Sequence, residues 1–170
     1  MLTIGNKAPD FFLQGILNGK KGDYSLKKFK AKWLILFFYP KDFTFICPTE
    51  VKGFNDKYGL FASLGCGIAG ISGDSVETHE EWMRELGGLR YPLLSDTEFT
   101  LARGFGVFDE TEKLAMRANF ILNEKRVIQY AVAYHTNVGR SVEETLRVLQ
   151  ALGTGKLCPA DWHVGEAVES

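Results

Sequence analysis

The stretch WLILFFYPKDFTFICPTE, residues 33–50, decides the fold class. Trp33 to Tyr39 is an unbroken apolar run that stops at Pro40. A run this short and rich in aromatics reads as a strand covered on both faces, as in a parallel or mixed sheet under helices. A short loop follows, and Cys47-Pro48 opens a helix. Proline is favoured at the first helical position, where its missing N–H has no partner to lose, so Cys47 falls at or near the N-cap.

Outward from this stretch the punctuation is regular. Gly67–Ser72 reads as a second buried strand, and Phe120–Leu122 with Val127–Val132 as a hairpin around Asn123–Arg126. Between them lie helical patterns. Thr49–Ser63 carries Val51, Phe54, Tyr58 and Phe61, and Ser75–Leu86 carries Val76, Trp82, Met83 and Leu86. Ser141–Leu152 is the clearest, with Ser141 and Glu144 spaced as a capping box before Val142, Leu146 and Leu149. Strands alternating with helices predict an α/β domain. No repeat, low-complexity stretch or linker divides the chain. Its 170 residues are read as a single domain, 1–170, with 153–170 as a C-terminal tail.

The composition excludes several classes. A net charge of -1 gives no sign of nucleic acid or an anionic membrane as partner. The run 33–39 is far too short for a membrane-spanning helix, and Met1–Phe12 lacks the apolar core of a secretory signal. The cytoplasm is the expected location. Three widely spaced cysteines, Cys47, Cys66 and Cys158, do not make a secreted disulfide scaffold. No C-x-x-C pair and no His/Cys/carboxylate cluster at ligand spacing is present, so no metal is expected. Buried small residues, a catalytic thiol and a redox pair all stay open for the cysteines.

Cys47 has the best chemical position. Free N–H groups and the positive end of a helix dipole favour thiolate over thiol, and the thiolate is the nucleophile. Thr44 lies three residues before it, within reach of the sulfur or of an oxygen bound there. A free cysteine under aromatic neighbours is as often simply buried, and position alone does not choose between the two.

The whole stretch does choose. PKDFTFIC, residues 40–47, resembles the P-x-x-x-T-x-x-C signature of the peroxiredoxins, and TFICPTE, residues 44–50, is close to the typical two-cysteine branch that includes bacterial alkyl hydroperoxide reductase C-type proteins. Further matches follow in order: GNKAPDF (5–11), GDSV (73–76) with His79 and Trp82, RANF (117–120), GRSVEE (139–144) and CPADW (158–162). The resemblance implies a thioredoxin-like fold with an N-terminal extension, in which a central mixed β-sheet is flanked by helices. It implies that Cys47 attacks hydroperoxides, that Thr44 and Arg117 hydrogen-bond peroxide and thiolate, and that Pro40 shields the pocket. Glu50 and Arg140 would support the loop and the arginine. Arg117 also makes sense by charge, since a fixed guanidinium stabilises both thiolate and leaving oxygen.

By the same resemblance, Cys158 of the partner subunit resolves the Cys47 sulfenic acid as an intermolecular disulfide, in a homodimer that assembles to a decamer. No bound cofactor is needed. Thioredoxin or a dedicated flavoprotein disulfide reductase would be the electron donor. On residues alone, Cys158 reads first as a free thiol on a flexible tail, and the CPADW match reverses that reading. A one-cysteine peroxidase, or a holdase using the same oligomer, are the competing readings. Cys66 is expected to be buried or in a turn, His79 to make a structural hydrogen bond, and His135 and His163 to lie on the surface. One departure from peroxide-sensitive relatives stands out. Their Gly-Gly-Leu-Gly loop reads GGLR here, residues 87–90, and no Tyr or Phe follows Trp162, which implies fast resolution and resistance to over-oxidation.

Overall fold

A computed structural model describes residues 1–170. Its strands are β1 (Leu13–Leu17), β2 (Lys20–Tyr24), β3 (Trp33–Phe38), β4 (Cys66–Ser72), β5 (Leu93–Ser95), β6 (Phe108–Asp109), β7 (Leu114–Ala115), β8 (Arg117–Leu122) and β9 (Ile128–Tyr134). Its α-helices are α1 (Cys47–Asp56), α2 (Tyr58–Ser63), α3 (Val76–Glu85), α4 (Thr100–Phe105) and α5 (Val142–Thr154). Seven strands form one sheet in the order β2-β1-β5-β4-β3-β8-β9. β3, β4 and β5 run parallel, while β1, β8 and β9 pair antiparallel to their neighbours, so the sheet is mixed.

The predicted buried strand is β3. Leu34 to Tyr39 are each 0% exposed. Side chains alternate along it. Ile35, Phe37 and Tyr39 join one core with residues of α1, α2, α3 and α5. Leu34, Leu36 and Phe38 join a second core with α4 and the N-terminal Ala8. This is the expected α/β arrangement, with helices on both faces. No helix is long and apolar enough to cross a membrane.

Several details differ from the sequence reading. The helix expected over 49–63 is two helices, because the backbone leaves the helical region at Lys57 (φ -98, ψ 6). The N-terminal extension contributes the β1–β2 hairpin, turned at Asn18 and Gly19, which both have positive φ (48 and 81). That pair is the favoured sequence for such a turn. Ser141 caps α5 by accepting from Glu144 N (3.0 Å), but the Glu144 carboxylate turns to Arg147 (2.6 and 2.7 Å) and leaves the box half made.

The C-terminal segment is organised rather than frayed. Gly155 ends α5 in a left-handed conformation, and Leu157 pairs with Glu169 through two backbone hydrogen bonds (2.8 and 3.0 Å). Trp162 is buried inside the resulting loop, and Arg147 donates to its carbonyl (3.1 Å). Apolar burial of the tryptophan and this charged tether hold the loop against α5.

Phe37 is the centre of the first core. Its ring stacks on Phe54 (4.5 Å) and meets the edge of Tyr91 (5.7 Å). Gly70 of β4 gives it room, since a Cβ there would stand 2.7 Å from Phe37 Cζ and 2.9 Å from Leu93 Cδ2. Overpacking of this kind costs about 1–3 kcal/mol. Gly70→Ala is therefore expected to lower the unfolding free energy by that amount, read as a lower urea midpoint at an unchanged denaturant slope, and an unaltered midpoint would show that the aromatic cluster yields freely.

Candidate active site

Cys47 is the first residue of α1, with Pro48 behind it and Ile46 at the N-cap. The helix forms where the buried strand has run out and proline can begin a turn. Cys47 is 0% exposed and packs in the core against which α1 lies. Its one charged hydrogen-bond partner is Arg117, whose Nη1 donates to Sγ at 3.2 Å. Arg117 enters from the start of β8, 70 residues from Cys47 in the chain but beside it in space, and is 4% exposed.

Glu50 links the cationic groups. One turn after Cys47, its Oε1 accepts from Arg117 Nη1, and its Oε2 accepts from Arg140 Nε (2.6 Å) and Arg140 N (3.0 Å). Two guanidiniums thus share one carboxylate, and all three groups are buried. Without a charge on sulfur this cluster carries a net positive charge in a low-dielectric interior, an arrangement that is costly unless an anion completes it. The N-terminal N–H groups of α1 add positive potential at the same place.

Arg140 spreads its bonds widely. It donates to Ala118 O (3.1 Å), Asn119 Oδ1 and Phe38 O, and its guanidinium lies 5.2 Å from the centre of the Phe37 ring. It thereby ties the loop before α5 to β3 and β8. Burial draws its guanidinium downward from the ordinary range, and Glu50 opposes that. Asn119 is fixed from behind by donating to Thr145 Oγ1 (2.9 Å). Arg117 is fixed by donating from Nε to Thr136 O (2.9 Å).

Of the residues singled out from sequence, Cys47, Arg117, Glu50 and Arg140 meet. Pro40 is buried at the end of β3. Thr44 does not reach the sulfur. Phe43 takes a left-handed conformation (φ 57), and Thr44 Oγ1 then donates to Lys41 O (3.2 Å). Cys158 is half-buried beside the last turn of α5, with Sγ 3.5 Å from Thr154 Oγ1. All three cysteines are free thiols, and no contact joins Cys158 to Cys47 within the chain.

Sequence reasoning missed the network under the loop. Asp42 is buried, accepts from Tyr39 Oη (2.7 Å) and lies 2.6 Å from His79 Nδ1. His79 Nε2 donates to Leu94 O (3.0 Å), because a carbonyl only accepts, so a proton also lies between the ring and Asp42. Burial raises the Asp42 carboxyl above its usual range, against the pull of His79. Asp74 completes a grouping of three ligand-type side chains within 4.8 Å, which the chain spacing does not reveal. Each is already engaged, Asp74 by Ser72 Oγ (2.6 Å) and by Asp42 N (2.9 Å). The structural hydrogen bond expected for His79 is thus present, and His135 and His163 are exposed. Cys66 is buried in β4, and burial pushes its thiol up to about 12.

Comparisons with known proteins identify relatives of the chain. The AhpC/TSA family model matches residues 4–131. A putative peroxiredoxin of Bacillus subtilis, YkuU, is 44% identical over 172 residues, covering 96% of each chain. The chloroplastic 2-Cys peroxiredoxin BAS1 of Hordeum vulgare is 43% identical over 96% of this chain and 83% of its own. Among solved structures, the reduced 2-Cys peroxiredoxin of Plasmodium vivax superposes with a TM-score of 0.90 at 29% identity, over 97% of this chain and 91% of that one. AhpC of Mycobacterium tuberculosis gives 0.87 at 33% identity, over 96% and 99%. With a thioredoxin-like sheet, a buried cysteine at a helix start and relatives aligned along nearly its whole length, the chain belongs to the AhpC/TSA family, in its typical two-cysteine peroxiredoxin branch.

Proposed function

We propose that this thiol-dependent peroxidase reduces hydrogen peroxide and organic hydroperoxides at Cys47 and resolves the product through Cys158 of a partner subunit. The observation that carries the reading is the Arg117–Cys47 contact (3.2 Å) inside a buried cluster with one carboxylate for two guanidiniums. An anionic sulfur neutralises that cluster. The Cys47 thiolate attacks one peroxide oxygen, the O–O bond breaks, and the other oxygen leaves as alkoxide or hydroxide and takes a proton. Arg117 stabilises the charge as it moves to that oxygen. Thr44, three residues away on the same loop, swings its hydroxyl from Lys41 O to the bound peroxide. Pro40 closes one wall and has no N–H to hold water.

The Cys47 sulfenic acid then condenses with the Cys158 thiol, releasing water and leaving a disulfide. A thioredoxin-type dithiol, or a dedicated flavoprotein reductase, returns both thiols by exchange. Residues 1–170 act as one unit, with the segment from 153 onward carrying the resolving thiol. Past Ile128, the outer edge of β9 has no backbone partner, a template for a second copy. Exposed Phe43 and Phe45 (47% and 92%) supply apolar surface for assembling dimers into a decamer. Three free thiols suit the reducing cytoplasm.

The reading is tested on non-reducing gels. One equivalent of peroxide should convert the 19.0 kDa chain to a cross-linked dimer of twice that mass. Cys158→Ser should abolish the band, and a surviving band would assign resolution to another thiol. Arg117→Met should lower kcat/KM for peroxide by about 100-fold, the usual loss when one charge-stabilising donor is removed. Wild-type turnover in that variant would remove Arg117 from the chemistry. Iodoacetamide at pH 8 should leave Cys66 unlabelled in the folded protein, because burial keeps its thiol at about 12; rapid labelling there would contradict its placement in β4.

A further inference from the structure

We propose that Asn119 is a positioning residue for the peroxide step: it fixes the Arg140 guanidinium with a neutral amide where a carboxylate would fit, and so leaves one positive charge of the buried cluster for the Cys47 sulfur. This rests on the reading above, in which Cys47 attacks as a thiolate.

Arg117 and Asn119 lie two apart on β8, so their side chains stand on the same face of the sheet. Arg117 meets Cys47 of α1, and Asn119 meets Thr145 of α5. Asn119 is 0% exposed. Its amide is oriented from both sides. A guanidinium only donates, so the atom that faces Arg140 Nη1 is Oδ1. Thr145 Oγ1 gives its own proton to Ser141 O (3.1 Å), so it accepts from Asn119 Nδ2 (2.9 Å). The two partners demand the same orientation, and a flipped amide would satisfy neither.

Charge counting gives this amide its role. The Arg140 guanidinium donates to Glu50, Ala118 O, Asn119 Oδ1 and Phe38 O, and only Glu50 among these is charged. Arg117 shares that same carboxylate. An aspartate has the shape of asparagine and would reach the same nitrogen. It would also give each guanidinium a carboxylate of its own and remove the electrostatic reason for a charge on sulfur. The charged and titratable groups acting on Arg140 are Glu50, Arg117, Cys47 and Tyr91. Tyr91 is kept neutral by burial, which raises its hydroxyl well above the usual range. Phe37 and Val132, opposite Asn119 on β3 and β9, carry no charge. Asn119 is thus the one uncharged side chain hydrogen-bonded to Arg140, and the position at which the net charge of the cluster is set.

Asn119→Asp keeps the shape and adds the charge. Alkylation of reduced Cys47 by iodoacetamide, followed by mass spectrometry over a range of pH, reads the thiolate directly. At neutral pH the variant should react roughly tenfold more slowly than wild type, and kcat/KM for peroxide should fall by the same factor. Alkylation should return to the wild-type maximum at higher pH, because the loss lies in charge. A residue that only packs would lower the maximum and leave the pH dependence in place. Asn119→Leu removes the acceptor without adding a charge. Its alkylation curve should lie at the wild-type pH or lower, and it carries the test if Asn119→Asp does not fold. A folded Asn119→Asp with the wild-type pH dependence, or an Asn119→Leu curve displaced to higher pH, would overturn the role of the amide. Peroxide consumption that survives Cys47→Ser would instead overturn the thiolate reading on which it rests.

Discussion

The sharing of Glu50 between Arg117 and Arg140 is the constraint on which the site depends. One buried carboxylate cannot balance two buried guanidiniums, and the sulfur of Cys47 is the remaining group in contact. The parts come from separate elements: Cys47 and Glu50 from α1, Arg117 from β8, and Arg140 from the loop before α5. Arg140 also bonds to carbonyls of β3 and β8, so the charge arrangement and the sheet are fixed together. A change in the packing of either strand would be felt as a change in potential at the sulfur. Burial strengthens every one of these interactions, and it also makes each costly to leave incomplete.

In the proposed reaction, the same burial sets the peroxide step and the disulfide step against each other. A sulfur enclosed beside a guanidinium is well placed for peroxide and badly placed for another thiol. The fold resolves this by unequal attachment. Asp42 is pinned by Tyr39, His79 and Asp74, which keeps the base of the loop fixed. Just beyond it, Phe43 has a left-handed backbone and both Phe43 and Phe45 are exposed, so the part of the loop next to Cys47 has few contacts to lose.

Much of this was legible in residue order, and the reasons differ by element. Trp33–Tyr39 was readable because seven consecutive apolar residues leave no alternative to a strand covered on both faces, and Ser141 because its side chain caps a helix by local geometry. Cys47 needed the surrounding motif, since a buried cysteine and a nucleophilic one look alike alone. β5 is three residues long, too short for any periodicity, and it emerges only from pairing with β4 and β1. Asn18-Gly19 did carry a hairpin signal, which the flanking Gly15 and Gly22 blurred. The Asp42–His79 contact joins residues 37 positions apart and has no local signature. Thr44 shows the limit of motif reading: the residue is where the signature puts it, while the backbone of Phe43 aims its hydroxyl elsewhere.

The closed loop between Leu157 and Glu169 bears on how Cys158 is seated. Cys158 is the residue immediately after Leu157, so the backbone pairing that shapes its surroundings depends on Glu169, twelve residues beyond Leu157 along the chain. Without Glu169 that pairing is lost, the loop that seats Trp162 is released, and the thiol's neighbourhood changes although the thiol itself is untouched.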